Sequence, residues 1–265
     1  MAERTRQSDL YPRISVPAEL TDEALGQLRR REASRCVVFA DWRALQPEES
    51  VLDEEAAADL RERLMRVTSL GAEPVLCLYR GEDPDWFTAR GGWLKEDNLR
   101  CWLRYVGRVI RAVGHLCGEY ITLYEPNALI WQNENQKLSF ARSVTMISHM
   151  ACTHIRAVRL IRDTREQRGY TDTSVGFVMR MYPASELRQV LHSRLPATGA
   201  LYQRLPMLAM AKGEFRMPVR NTLRAQPGDW ADFIGVTGTQ DPVRREQCCA
   251  RVQELTGIEA RIMED

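Results

Sequence analysis

Short apolar runs alternate along this chain with longer segments of helical character, and no other feature constrains the fold as strongly. The runs are rich in β-branched residues and are bounded by glycine, proline or charged residues, which is typical of buried strands. The longer segments carry apolar residues at helical spacing, and several stop at a glycine, a common helix C-cap. Strands that alternate with helices predict a parallel sheet with crossover helices.

Six runs have clear strand character and a seventh is weak. The six are 36–42, 74–79, 121–125, 174–179, 231–237 and 258–263, and the weak one is 11–16. Helices are expected at 19–31, 53–70, 95–113, 138–167 and 243–255, with loops and short helices over 184–230. A (β/α)8 barrel takes about 250 residues. The sequence therefore predicts a single domain over 1–265, a minimal or incomplete TIM-type (β/α)8 barrel. An open parallel α/β sheet is the alternative, because the strand count falls short of eight.

The charge and motif content exclude several classes of function. Lysine and arginine (37) almost balance aspartate and glutamate (36), so no overall field attracts nucleic acid or an anionic membrane, and neither is expected as a partner. No apolar run has the length of a membrane helix and the first residues show no apolar signal segment, so we expect a cytoplasmic protein. Nucleotide-binding glycine motifs and metal-ligand spacings are lacking, so neither a cofactor nor a metal ion is predicted. The seven cysteines are expected to be buried free thiols.

A glutamate stands at the end of the run 121–125, directly before Pro126. The run predicts a buried strand that the proline terminates. In an α/β barrel the carboxyl ends of the strands open into the active-site mouth, so Glu125 is the first candidate for a catalytic acid. The alternative is a carboxylate that is exposed in a loop or paired with a nearby arginine.

Asp41, Arg80 and Arg180 also follow predicted strands, and in a barrel they would line the same mouth. Arginine presents a fork of donors that matches carboxylate or phosphate, so the two arginines predict an anionic ligand. The alternatives are a helix N-cap for Asp41, and an ion-pair network in which the arginines neutralise Asp41 and Glu125.

Five short segments share an order that is known from one enzyme family. They are 71–79 (GAEPVLCLY), 91–94 (GGWL), 120–126 (YITLYEP), 212–215 (KGEF) and 232–236 (DFIGV). In that order they resemble G-I-E-P-x-x-T-L-Y, G-G-W-L, W-I-T-L-N-E-P, K-G-E-Y and D-F-I-G-I of glycoside hydrolase family one, the β-glucosidase-like enzymes. The resemblance covers about residues 20–236 and is that of a shortened, diverged member.

The resemblance implies a (β/α)8 barrel and a retaining double displacement, which needs two carboxyl groups about 5–5.5 Å apart. Glu125 falls on the position of the acid/base. The segment 261–265 matches the nucleophile motif I-T-E-N-G loosely, which would make Glu264 the nucleophile. Glu264 is otherwise part of a solvated tail. Alternatively, the segment 243–255 corresponds to the helix after the family nucleophile, and the nucleophile strand is missing.

The sugar-binding positions of the family are largely replaced. Tyr124 stands at the asparagine before the acid/base, Arg80 at a histidine, and Thr237 at an asparagine after the sixth strand. A site that has lost the partners of sugar hydroxyl groups binds glucose poorly. Trp93 would supply an aromatic platform for a sugar ring, or would pack in the core. The predicted substrate-binding set is Asp41, Arg80, Trp93, Tyr124 and Arg180.

Three functional hypotheses follow. The first is a glycoside-hydrolase-like enzyme that acts on a glycoside or another sugar-derived small molecule by carboxylate acid/base chemistry, with a retaining β-glycosidase mechanism if Glu264 is the nucleophile. The second is a repurposed biosynthetic enzyme for an anionic substrate other than glucose. The third is a non-catalytic pseudo-glycosidase that binds a ligand or partner. An incomplete barrel that a second chain covers would also form a homodimer.

Overall fold

Seven parallel strands form a closed barrel in the order of the chain. The computed structural model describes residues 12–17, 21, 26, 35–135, 139–181 and 203–264, without the side chains of 131–135. The strands are β1 (Arg13–Ser15), β2 (Arg35–Phe39), β3 (Glu73–Cys77), β4 (Glu119–Tyr124), β5 (Ser174–Arg180), β6 (Phe233–Thr237) and β7 (Glu259–Glu264). All seven predicted strands are confirmed, including the weak first one.

The barrel closes because β1 pairs with both β2 and β7, with Arg13 opposite Ile262 and Ser15 opposite Glu264. The fold is thus a TIM-type barrel that is incomplete relative to eight strands, and the open-sheet alternative is wrong. A homodimer was expected if a second chain covered an incomplete barrel. That reason no longer applies, because the closed sheet leaves no strand edge for a second chain. The oligomeric state itself remains a prediction.

Helices surround the barrel in the described parts of the chain. They are α1 (Trp42–Leu45), α2 (Glu54–Ser69), α3 (Asp85–Ala89), α4 (Leu99–Val113), α5 (Pro126–Asn135), α6 (Phe140–Glu166), α7 (Leu205–Lys212) and α8 (Pro242–Thr256), with short 3-10 turns at Gly92–Leu94, Glu96–Asn98 and Gly114–Leu116. The predicted helices at 53–70, 95–113, 138–167 and 243–255 correspond to α2, α4, α6 and α8. The one predicted at 19–31 lies outside the described residues, except for positions 21 and 26. No described helix is long and apolar enough to cross a membrane.

Alternate residues of each strand face the inside of the barrel, where they form a separate apolar cluster. Its members are Ile14, Val16, Val37, Val75, Cys77, Ile121, Val178, Phe233 and Met263, with the half-buried Phe39 and Tyr124 at the carboxyl end. The outward-facing residues pack against the helices in a larger core. All seven cysteines are free, and all but the half-buried Cys248 are buried.

Charged residues close the amino-terminal end of the barrel. The Arg261 guanidinium lies 4.1 Å from the centre of the Phe233 ring and 2.8 Å from a Glu119 oxygen. Arg35 reaches the other oxygen of Glu119 at 3.1 Å. Because Arg261 is buried, the described residues close this end of the barrel with a packed layer of ion pairs, and a ligand site is expected at the carboxyl end.

Two glycines give the barrel interior the room it needs. A Cβ atom at Gly176 would lie 2.4 Å from the Phe233 carbonyl oxygen, and one at Gly235 would lie 2.7 Å from the Met263 sulfur. Barrel diameter falls with strand number, so seven strands leave less interior space than eight. The interior of this narrow barrel can therefore pack only because these two positions have no side chain.

We predict that Gly176→Ala lowers the free energy of unfolding by about 3 kcal/mol, because its Cβ meets rigid backbone. Gly235→Ala should cost less, about 1–2 kcal/mol, because part of its contact is the flexible Met263 side chain. Gly169→Ala is the control: its φ is +84°, but nothing lies within 4 Å of the added Cβ. Urea unfolding with unchanged m-values measures all three. A loss for Gly176→Ala no larger than that of Gly169→Ala would disprove the steric explanation.

Candidate active site at the carboxyl end of the barrel

Glu125 occupies an unusual backbone position at the junction of β4 and α5. Ile121 and Tyr124 pair with Gly176 and Val178, so β4 contains one extra residue between them, a bulge. Glu125 follows with φ +51°, a left-handed conformation that is uncommon outside glycine. A conformation of this kind often marks a functional position.

No loop separates this strand from the next helix. The Glu125 carbonyl accepts hydrogen bonds from the N–H groups of Ala128 and Leu129 at 2.9 and 3.2 Å, and Pro126 is the first residue of α5. The sequence interpretation of Pro126 as the end of the strand is confirmed, and the same proline also starts a helix, where its fixed φ is suitable.

The Glu125 side chain is held by the ends of the next two strands. Its Oε1 accepts a hydrogen bond from the Thr237 hydroxyl at the end of β6, and its Oε2 lies 3.4 Å from the Arg180 guanidinium at the end of β5. The carboxylate is mostly buried, with 16% of the side chain exposed, whereas 43% of Arg180 is exposed. Three neighbouring strand ends therefore form one cluster of a carboxylate, a hydroxyl and a cation.

Asn127 fixes the backbone of this cluster. Its amide donates to the Arg180 carbonyl at 2.7 Å and its Oδ1 accepts from the Arg180 N–H at 3.2 Å. Asn127 is completely buried. It therefore locks the first turn of α5 to the end of β5, and Glu125 and Arg180 cannot separate without breaking two buried hydrogen bonds.

Aromatic rings form the neighbouring part of the mouth. Tyr124 and Phe39 meet edge to face with ring centres 5.5 Å apart, and the Arg80 guanidinium lies 4.6 Å from the Phe39 ring centre. Arg80 also pairs with Glu82 at 3.8 Å, not with Asp41 or Glu125. Predicted residues Tyr124, Arg80 and Arg180 are thus all placed on the carboxyl-end side of the barrel.

A cleft of about 420 Å³ opens beside these rings. Its lining includes Phe39, Asp41, Arg63, Tyr79 and Arg80. Glu125, Arg180 and Thr237 are not among its walls. Phe39 links the two regions, because its ring lines the cleft and also contacts Tyr124, the neighbour of Glu125.

Two predicted binding residues have structural roles. Asp41 accepts from the Ala44 N–H at 3.1 Å and is the N-cap of α1, the alternative that its sequence position allowed. Trp93 is 2% exposed and packs among other aromatic rings, so it presents no face to a sugar. The prediction that Trp93 is an aromatic platform for a sugar ring is therefore wrong, and Trp93 packs in the core, which was the alternative.

Trp93 and Tyr79 instead hold a half-buried carboxyl group that the sequence did not reveal. The Trp93 indole N–H and the Tyr79 hydroxyl donate to Oδ1 of Asp83 at 3.0 and 2.8 Å. Burial raises the pKa of Asp83 to about 6, although both hydrogen bonds favour the charged form. Asp83 lies in the loop after β3, so this proton-binding group stands close to Arg80 along the chain.

The structure does not bring Glu264 and Glu125 together. Met263 faces the inside of the barrel, so strand alternation places Glu264 on the outside. There its carboxylate pairs with Arg13 of β1 and, at 3.6 Å, with Arg245 of α8. β4 and β7 are also separated by two strands around the barrel.

Comparison with solved structures identifies the fold. A β-glucosidase from Thermotoga maritima in complex with castanospermine matches with a TM-score of 0.69 at 16% identity, over 90% of this chain and 64% of that one. The chain has a shortened β-glucosidase-like fold. A β-glycosidase from Pyrococcus horikoshii matches with a TM-score of 0.64 at 21% identity, over 83% of this chain and 53% of that one. A β-glucosidase from Exiguobacterium marinum matches with a TM-score of 0.64 at 17% identity, over 82% of this chain and 53% of that one.

This chain thus spans between about half and two thirds of the length of those enzymes. No family model and no curated protein sequence matches it, so the likeness is one of structure. The fold predicted from the five motifs is confirmed, whereas the activity of those longer enzymes is not transferred by it.

Thr237, Asn127 and Asp83 were not among the predicted site residues. Thr237 could have been included, because it ends a predicted strand just as Glu125 does. Asn127 follows Pro126 directly, but only the structure shows that its amide reaches β5. Nothing in the sequence around Asp83 indicates that its carboxyl group binds to the aromatic cluster of Trp93 and Tyr79.

We predict that the contribution of Asp83 to the free energy of unfolding falls as pH rises and its carboxyl group ionises. Its pKa is about 6 in the folded protein and about 3.8 without the protein environment, so the proton is bound more tightly by the folded state. Its contribution is favourable below about pH 4 and is lost as pH rises through 6. Asp83→Asn keeps the acceptor oxygen but cannot ionise. Urea unfolding should therefore show the variant gaining stability relative to wild type between pH 4 and pH 7.5.

The exposed Asp85 on α3 provides the control, since Asp85→Asn removes the same charge close by. Its stability difference from wild type should change much less between these pH values. An equal stability difference for Asp83→Asn at both pH values would contradict the proposed proton binding.

Proposed function

We propose that this barrel binds an anionic, sugar-derived compound at the carboxyl end of its strands and that Glu125 acts on it as a single acid/base. The observation that carries the proposal is the cluster of Glu125, Arg180 and Thr237 on three successive strand ends. A glycosidase-like fold with such a cluster at the catalytic end supports an active-site role, because barrel enzymes place their chemistry there.

The preference for an anion rests on the two arginines. Arg80 and Arg180 each expose 43% of their side chains at the same end of the barrel. A guanidinium group offers a planar set of N–H donors that matches a ligand carboxylate or phosphate. Their counter-charges, Glu82 and Glu125, lie at 3.8 and 3.4 Å, which is longer than a strong charged hydrogen bond.

A retaining glycosidase mechanism has little support. It requires a second carboxyl group about 5–5.5 Å from Glu125. Glu264 faces the outside of the barrel and is paired with Arg13 and Arg245. Within the described residues, the direct side-chain partners of Glu125 are a hydroxyl and a guanidinium. The chemistry that fits is proton transfer by one carboxylate, with Thr237 orienting Oε1.

The proposed mechanism uses Arg180 as a switch between partners. An anionic group that binds Arg180 competes with Glu125 for the guanidinium, and this competition releases Oε2 of Glu125 to contact the bound compound. Glu125 then removes or returns a proton at the bound compound. Asn127 holds the backbone of Arg180 in place during this exchange.

A non-catalytic ligand-binding protein is the second candidate. One observation favours it: each oxygen of Glu125 already has an internal partner, so the carboxylate is engaged before any ligand arrives. In that case the arginines would bind the same compounds without turnover.

Three sugars that share a ring test the preference for an anion: glucose, glucuronate and glucose 6-phosphate. We expect calorimetric titration to show at least ten-fold tighter binding of the charged sugars, because a charged hydrogen bond contributes about 1.5–3 kcal/mol. Arg180→Gln should weaken the charged sugars about ten-fold or more, and Arg251→Gln on the exposed side of α8 should have no effect. Equal binding of glucose and the two anions would reject the proposal.

Glu125→Gln separates catalysis from binding. The variant should bind the preferred sugar anion at least as well as wild type, because a negative charge beside Arg180 is removed. Conversion of that compound, followed by proton NMR, should fall about 10²–10⁴-fold. Binding without conversion by wild type would support the second candidate. A 2-deoxy-2-fluoroglucoside should form no covalent adduct, and an adduct on Glu264 would restore the retaining mechanism.

A further inference from the structure

A second concave surface lies on the outside of the barrel, between α4, α6 and the segment that precedes β6. We call it the outer groove. It has a volume of about 420 Å³, and its walls include Leu103, Arg156, Arg159, Leu223, Arg224 and Trp230. A smaller hollow of about 260 Å³ adjoins it and shares Leu103, Arg156, Leu223 and Arg224. This volume is within the usual range for small-molecule sites.

The outer groove carries three arginines that form no ion pair with the described residues. Among the described residues, no carboxylate lies within ion-pair distance of Arg156, Arg159 or Arg224, although many other arginines of the chain are paired. Asp163 is the acidic residue of the main hollow, and Glu96 and Asp97 lie in the adjoining one. In the main hollow three arginines face one aspartate, an excess of two positive charges in a chain whose net charge is only +1.

The groove also offers a flat apolar surface. Trp230 is half-buried, and its indole N–H donates to the Gln226 carbonyl at 2.8 Å, which fixes the ring. The Arg159 guanidinium lies 5.8 Å from this ring. Leu103 and Leu223 complete an apolar wall. A planar ring could stack on such a surface while its charged group meets the arginines.

The turn that carries Arg224 is braced by hydrogen bonds within the protein. The Asn221 side chain donates to the Ala225 carbonyl and accepts from the Ala225 N–H, both at 2.7 Å. This clamp holds Arg224 at φ +52°, a left-handed conformation that is unfavourable for a residue with a Cβ. Arg156 donates to the Leu223 carbonyl at 2.7 Å and so ties α6 to the same turn. A braced turn loses little entropy on binding.

From these observations we propose that the outer groove is a second binding site, separate from the barrel mouth, for a planar aromatic anion. The ring would stack against Trp230, and its phosphate or carboxylate would bind Arg224 and Arg159. Phosphate and carboxylate share the geometry that a guanidinium recognises. This inference does not depend on the proposed function of the mouth, because the two sites share no residue.

Three naphthalene compounds with one ring system test the proposal: 1-naphthyl phosphate, 1-naphthoate and 1-naphthol. Titration calorimetry on the full chain should show saturable binding of both anions and at least ten-fold weaker binding of the neutral naphthol. Arg224→Gln and Arg159→Gln should each weaken the anions about ten-fold, and Arg224→Lys should recover part of the loss. Trp230→Leu should weaken all three compounds. Circular dichroism melts identify any variant that is misfolded.

Two charge-matched variants locate the site. Arg251→Gln, on α8 outside the groove, and Arg180→Gln, in the mouth, should each change anion affinity less than two-fold. If Arg180→Gln abolishes binding while Arg224→Gln and Arg159→Gln do not, the anion binds in the mouth and the groove proposal is wrong. Absence of saturable anion binding at millimolar concentrations, or equal binding of naphthol, also overturns it.

Discussion

The pairing of β1 with β7 is the constraint on which the rest of the structure depends, because it closes a parallel sheet with only seven strands. A closed sheet has no edges, but seven strands enclose a narrow interior. Gly176 and Gly235 leave room there for Phe233 and Met263. Arg261 lies against the Phe233 ring and forms an ion pair with Glu119. The apolar interior is therefore closed at its amino-terminal end by paired charges.

The missing strand also changes what the mouth can do. β6 pairs directly with β7, so the barrel has one strand end fewer than a (β/α)8 barrel. A retaining site places a second carboxylate near the first, and the first must then tolerate a negative neighbour. Here Glu125 faces the cation of Arg180. Among the described residues, the cluster around Glu125 therefore combines one carboxylate with a hydroxyl and a guanidinium, which differs from the paired acids of a retaining site.

The sequence predicted the strands well because buried β-branched runs and their terminating residues are local signals. It predicted Glu125 and Arg180 at one mouth because parallel strands end on the same side. It could not separate the two roles of Asp41, since an aspartate before a helix serves equally as N-cap and as site residue. Glu264 was misjudged for another reason: one step along a strand reverses the direction of a side chain, and only the pairing of β7 fixes that direction. Closure depends on contact between the two ends of the chain, which no local pattern specifies.

A buried histidine shows how the outer groove and the strand that carries Glu125 are joined. His154 of α6 contacts the Thr122 hydroxyl of β4 at 2.6 Å with Nδ1 and the Trp230 carbonyl at 3.1 Å with Nε2. Burial lowers the pKa of His154 to about 3, so the ring is neutral and can donate to one partner while accepting from the other. The backbone of Trp230 is therefore tied through a single rigid ring to the bulge before Glu125. The outer groove and the Glu125 cluster are thus built on one fixed frame, although they share no residue.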